Sequence, residues 1–128
     1  MQNKKKKRIL IVDDDIDILT TYKKGLEDNG LFEVDTFADP EEVLSSFKTG
    51  YYDCLIIDVR LPKMDGFELY DKMKETDNKV KVCFVTAYEV NYQALREVFP
   101  SPDLECFIQK PIEINELVGR IKAELVML

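Results

Sequence analysis

Short, wholly apolar runs recur along this chain, separated by amphipathic stretches, and this alternation limits the possible folds more than any other feature. Ile9 to Val12 (ILIV), Cys54 to Ile57 (CLII) and Val82 to Val85 (VCFV) contain no polar residue at all. A strand with one wet face alternates polar and apolar residues, so a continuous apolar run implies a strand covered on both faces. Strands are expected near Arg8 to Asp13, Phe32 to Phe37, Cys54 to Asp58, Val80 to Val85 and Cys106 to Gln109. The stretches between them have helical character. Five βα units in succession predict an α/β fold: a doubly wound, five-stranded parallel sheet with five helices and right-handed crossovers.

The helix ends are marked locally. Asp39 can serve as N-cap with Pro40 at the first helical position, and Glu42 completes a capping-box pattern. Asn29-Gly30 supplies a left-handed stop for the first helix. The last helix carries Ile114, Leu117, Val118, Ile121, Leu125 and Leu128 on one stripe, the face that would dock on the sheet.

At 128 residues the chain has the size of one domain, expected over residues 1–128 with a basic tail at 1–7. Hydrophobic residues at 45% and charged residues at 34% fit a globular chain. No apolar run approaches the roughly 20 residues of a membrane span, and the N-terminus lacks a signal peptide's apolar core, so a cytoplasmic protein away from membranes is expected. The formal net charge of -7 disfavours direct nucleic-acid binding, and the basic run from Lys4 to Arg8 is read as a solvated tail leading into the first strand. Cys54, Cys83 and Cys106 each lie in an apolar segment without metal-like spacing, which predicts buried free thiols and neither a disulfide nor zinc.

The polar residues at the strand ends carry the chemistry. Asp13, Asp14 and Asp15 end the first strand, Asp58 ends the third, Thr86 the fourth, and Lys110 the fifth. In an open parallel sheet these ends share one edge, where ligands bind at the topological switch point. Converging carboxylates repel one another unless one takes up a proton or a cation neutralises them. Oxygen ligands with open coordination suit Mg²⁺. Phosphoryl transfer needs an oxygen nucleophile, a metal and fixed donors, and Asp58, Mg²⁺, Lys110 and Thr86 would supply them. A carboxylate is ordinarily ionised at neutral pH and needs no general base. That matches a chain with no His, which also cannot supply a catalytic histidine or act as a histidine kinase.

The segments ILIVDDD, LIIDVRLPKMDG, VCFVTAY and FIQKP resemble, in order and separation, the signature blocks of response-regulator receiver domains. The likeness covers nearly the whole chain. It implies the flavodoxin-like sheet order 2-1-3-4-5. It also implies Asp58 as phosphoacceptor, and Asp14, Asp58 and the Arg60 backbone carbonyl as metal ligands, with Asp13 holding a metal-bound water. Lys110 would pair with the phosphoryl oxygens, Thr86 would donate its hydroxyl to one of them, and Lys110-Pro111 would be cis. Phe107 would occupy an aromatic switch position on the fifth strand, unless it is simply a core aromatic. Asp15 has no role in the family pattern and is read as a helix cap. The segment FPSPDLEC departs from the short turn common before the fifth strand, and Phe107 lacks the hydroxyl of the commoner Tyr.

The function implied is a two-component switch rather than a turnover enzyme. A sensor histidine kinase or histidine phosphotransfer protein would phosphorylate Asp58. The domain would promote its own phosphotransfer and self-dephosphorylation, and would change partner binding through its fourth helix and fifth strand. Its target would be a downstream protein or an output domain outside this chain. Arg60 and Tyr88, each two residues beyond a site residue, would flank the phosphoryl group and slow its hydrolysis. A flavin-type carrier of the same topology is disfavoured, because its phosphate loop would here present three carboxylates. An aspartyl-phosphate hydrolase would need an acid or base where Arg60 stands.

Overall fold

A computed structural model describes residues 5–87 and 106–127. Its sheet holds five parallel strands in the order β2-β1-β3-β4-β5: β1 (Lys7–Val12), β2 (Phe32–Phe37), β3 (Cys54–Asp58), β4 (Lys81–Thr86) and β5 (Phe107–Gln109). All pairings are parallel, as strands joined by helical crossovers require. Four helices lie among the described residues: α1 (Ile16–Asp28), α2 (Pro40–Ser46), α3 (Gly66–Thr76) and α4 (Ile114–Glu124). The fourth of the five expected helices, between the fourth and fifth strands, lies outside the described residues. β1 begins one residue earlier than expected, with Lys7 paired to Phe32 in the sheet.

Alternation along the strands sorts the core into two layers. Ile9, Ile11, Cys54, Ile56, Cys83, Val85, Cys106 and Ile108 face Leu19, Tyr22 and Leu26 of α1 and Leu117, Val118 and Ile121 of α4. Leu10, Val12, Leu55, Ile57, Val82, Phe84 and Phe107 face Val43 of α2 and Phe67, Leu69, Tyr70 and Met73 of α3. Burial on both faces explains why the inner runs Ile9 to Val12, Cys54 to Ile57 and Val82 to Val85 contain no polar residue. Gly25 lets α4 approach α1, since a Cβ there would lie 2.6 Å from Ile114 Cδ1.

The caps follow the local pattern, with one change. Asp15 caps α1 through the amides of Asp17 and Ile18, and Asp39 caps α2 through Glu41 rather than Glu42. Gly30, with φ of +80°, takes the left-handed turn after α1.

The expectation of three free thiols is corrected. Cys83 and Cys106 form a disulfide, while Cys54 is free and buried, its thiol pushed up to about 12 chiefly by desolvation. Phe84 pairs with Phe107, so the preceding residues stand side by side on one face with Cα atoms 4.6 Å apart, within disulfide reach. That pairing comes from strand register, which cysteine spacing does not reveal.

Candidate phosphoacceptor site

The carboxyl edge of the sheet gathers the residues expected there. β1 delivers Asp13 and Asp14, β3 Asp58, β4 Thr86, and the turn after β5 delivers Lys110. Continuing the alternation of each strand aims Asp13, Asp58 and Lys110 to the α1–α4 side and Thr86 to the other. Asp13, Asp58 and Thr86 are buried, whereas Asp14 is exposed. Oxygens of Asp13, Asp14 and Asp58 lie within 4.8 Å of one another, close enough to share one cation. Their hardness as donors fits Mg²⁺.

Lys110 is the countercharge. Its Nζ donates to Asp13 Oδ2 at 2.8 Å and to Asp58 Oδ2 at 3.3 Å. The backbone amide of Lys110 donates to the Thr86 carbonyl at 2.7 Å, which ties the turn to the end of β4. Lys110-Pro111 is cis, as the resemblance implied. Asp13 Oδ1 accepts from the Asp15 amide at 2.9 Å, and Asp58 Oδ1 from the Arg60 amide at 3.2 Å, so each carboxylate is oriented by backbone on its other side.

These surroundings pull in opposite directions. Burial, then the nearby Asp13 carboxylate, raises Asp58 above the ordinary carboxylate range, and Lys110 and the Arg60 amide only partly oppose this. Burial alone would lower the Lys110 ammonium, but its bond to Asp13 and the charges of Asp13 and Asp58 outweigh it and leave Lys110 raised. Asp58 is therefore less free to ionise than its type suggests. A cation beside it would offset both the burial and the charge of Asp13.

The loop after β3 is built around Asp58. The Gly66 amide donates to the Val59 carbonyl at 2.8 Å, and a Cβ on Gly66 would collide with the Asp58 carbonyl oxygen. This close approach requires the glycine of LPKMDG. Lys63 takes φ of 72°, costly for a residue with a side chain. Its Nζ lies 3.3 Å from both Asp39 and Glu41, joining this loop to the start of α2.

Phe107 is 5% exposed and packs in an aromatic cluster, 5.6 Å from Phe84 and 6.2 Å from Phe67 between ring centroids. Arg60 is exposed beside Asp58, and Tyr88 lies outside the described residues. Sequence reasoning missed Lys63 and Tyr22. Tyr22 is buried on the inner face of α1, where burial raises its phenol, and where Lys110, Asp13 and Asp58 all influence it. Only the capping-rich contexts hinted at Lys63, and nothing in the α1 pattern separates Tyr22 from a core aromatic.

Among the described residues a second group, Cys83, Cys106 and Glu124, has metal-like proximity, but its two sulfurs are joined to each other. No helix among the described residues is long and apolar enough to cross a membrane.

Comparison with known proteins agrees with this geometry. The response regulator receiver domain family matches residues 9–122. The transcriptional regulatory protein PrrA of Mycobacterium tuberculosis is 34% identical over 118 residues, which cover 92% of this chain and 49% of PrrA. The alkaline phosphatase synthesis transcriptional regulatory protein PhoP of Bacillus subtilis is 31% identical over 119 residues, covering 93% of this chain and 48% of PhoP. The chain thus spans about half the length of these relatives. A CheY-like receiver domain protein from Methanospirillum hungatei superposes with a TM-score of 0.83 at 32% identity, covering 95% of each chain. The Thermotoga maritima response regulator TrrA, solved in complex with Mg²⁺-BeF, gives a TM-score of 0.75 at 31% identity, over 91% of this chain and 97% of TrrA. With its 2-1-3-4-5 sheet and its acidic carboxyl edge, this chain belongs to the response regulator receiver domain family of two-component signalling, whose members are phosphorylated on an aspartate.

Proposed function

We propose that Asp58 is the phosphoacceptor of this receiver domain and that a sensor histidine kinase or histidine phosphotransfer protein is its donor. The observation that carries this reading is Lys110, held at once by Asp13 and Asp58 on a buried, acidic strand edge. A carboxylate oxygen of Asp58 attacks phosphorus, the phosphorus–nitrogen bond of phosphohistidine breaks, and the imidazole leaves with the bonding pair. Lys110, already within reach of Asp58, turns its ammonium to the phosphoryl oxygens, and Thr86 donates its hydroxyl to one of them. Asp13, Asp14, Asp58 and the Arg60 carbonyl would hold Mg²⁺, which when bound neutralises charge on the carboxylates and the phosphoryl group.

In this reading residues 1–128 act as one signalling unit in the cytoplasm, without substrate turnover. Its partner binding changes through the face that includes β5, with Thr86 and Phe107 as the moving parts. The target is a downstream protein or an output domain beyond this chain. Incubation with acetyl phosphate and Mg²⁺ should add one base-labile phosphoryl group, detected by intact mass, and Asp58→Asn should abolish it. Undiminished labelling of the Asn variant would overturn the assignment.

A further inference from the structure

We propose that Cys83 and Cys106 form a reversible redox centre that sets the stiffness of the edge strand leading to Lys110. β5 is three residues long and, among the described residues, pairs in the sheet with β4 alone. Its attachment is narrow. Phe84 N donates to the Cys106 carbonyl at one end, and Lys110 N donates to the Thr86 carbonyl at the other. The disulfide fastens the entrance of this strand to β4, closing a loop across a sequence separation of 23. Lys110 stands four residues beyond Cys106 on the same face, roughly 13 Å away at about 3.3 Å per strand residue. A short edge strand with few backbone bonds opens locally more readily than the strands between others. Removing its covalent anchor therefore loosens the element that carries Lys110.

The surroundings of the pair favour exchange over a permanent staple. The two apolar layers supply a sizeable core besides the disulfide, and in the cytoplasm, the location proposed above, disulfides are usually transient or redox-sensing. Arg120 of α4 donates to the Phe107 carbonyl at 3.0 Å and lies 3.5 Å from Cys106 Sγ. The Arg120 guanidinium favours an anionic Cys106 sulfur against the opposing charge of Glu124, whose carboxylate lies within 4.8 Å of both sulfurs, and this marks Cys106 as the leaving thiolate. Both sulfurs are buried beneath α4, so attack waits on local opening of that helix. Then a thiolate of a dithiol reductant attacks Cys83 Sγ, the disulfide breaks, and Cys106 leaves and takes up a proton. The reductant's second thiol displaces Cys83, which is protonated in turn. Two electrons and two protons pass to the cysteines, and the reductant becomes a disulfide. Cys54, buried and held as a neutral thiol, stays out of the exchange.

The test needs no phosphorylation and so stands apart from the assignment of Asp58. The full chain is oxidised with glutathione disulfide or reduced with dithiothreitol, then unfolded and alkylated. Peptide mass spectrometry should find Cys83 joined to Cys106 and only Cys54 alkylated after oxidation, and all three alkylated after reduction. Amide hydrogen exchange of Phe107 to Lys110 should be about tenfold faster in the reduced protein. In Cys106→Ala, and in Cys83→Ser should the first variant fold poorly, exchange should be fast in both buffers. Three free thiols after oxidation, a bond that includes Cys54, or equal exchange rates in the two redox states of the wild type would overturn the proposal.

Discussion

The two ends of the sheet hold the same residue type in opposite conditions. At the amino edge, Asp77 is 7% exposed, yet it accepts backbone amides from Gly50 at 2.8 Å and Lys79 at 2.9 Å. Those bonds, that of Gly50 foremost, hold its carboxyl below the ordinary range despite burial. At the carboxyl edge, Asp58 is likewise 7% exposed, yet burial and Asp13 leave it raised. Equal surface exposure with opposite shifts reflects the deeper setting of Asp58 as well as its neighbouring carboxylate, so exposure alone does not reveal an acid's role. Asp77 closes a loop and its needs are met by backbone. Asp58 meets a second carboxylate and one shared ammonium, which leaves it dependent on a further cation.

Lys110→Ala should have the largest effect, because it leaves Asp13 and Asp58 without the ammonium they share. Phosphoryl uptake from acetyl phosphate should fall roughly 100-fold or more, the scale of losing one fixed donor to developing charge. Uptake within a few-fold of wild type would place the countercharge elsewhere. Next comes Asp77→Ala, which orphans the Gly50 and Lys79 amides and should cost about 1–3 kcal/mol in urea denaturation, while phosphorylation persists. Its pH dependence has a definite sign. A carboxyl lowered in the folded state contributes its full stability above the ordinary range and loses it as pH falls through the lowered native value. The gap between wild type and Asp77→Ala should therefore narrow below about pH 4, and a gap independent of pH would contradict the backbone account.

The smallest stability effect belongs to Asp14→Ala. Removing one carboxylate from the acidic edge should leave the metal-free protein equal or slightly more stable, by about 0.5 kcal/mol at most for an exposed group. The same variant should weaken Mg²⁺ binding measured by calorimetry. Asp13→Ala would not share the gain in stability, although repulsion alone suggests it should, because Asp13 also holds Lys110 and the Asp15 amide. A more stable Asp13→Ala would mean that repulsion outweighs those bonds.

How much was legible in the sequence follows the range of each interaction. The strands, their order of appearance, the caps at Asp15 and Asp39 and the edge that gathers Asp13, Asp58 and Lys110 all follow from local periodicity and from where apolar runs stop. The receiver resemblance then supplied the sheet order and the cis bond at Lys110-Pro111. The missed features arise between segments. Register sets Cys83 beside Cys106, and a left-handed Lys63 reaches back to Asp39 and Glu41. The raised state of Asp58 depends on how deeply the sheet edge is covered, so ionisation inferred from residue type alone was too simple. Tail and strand boundaries moved by a residue, which hydrophobic pattern does not resolve.

Tyr22 gives the domain a built-in chromophore. The chain contains six tyrosines and no tryptophan, and this phenol is buried in the core layer under α1, where it feels the charges of the acidic edge. Its ionisation lies above the usual 10.0 chiefly through burial, with Asp13 and Asp58 adding to the rise and Lys110 opposing it. A cation seated among the carboxylates would offset their push, so Tyr22 should become phenolate at a lower pH once Mg²⁺ is added. An alkaline spectrophotometric titration, with Tyr22→Phe identifying the band, would thus read occupancy of the acidic edge optically, with no dye attached.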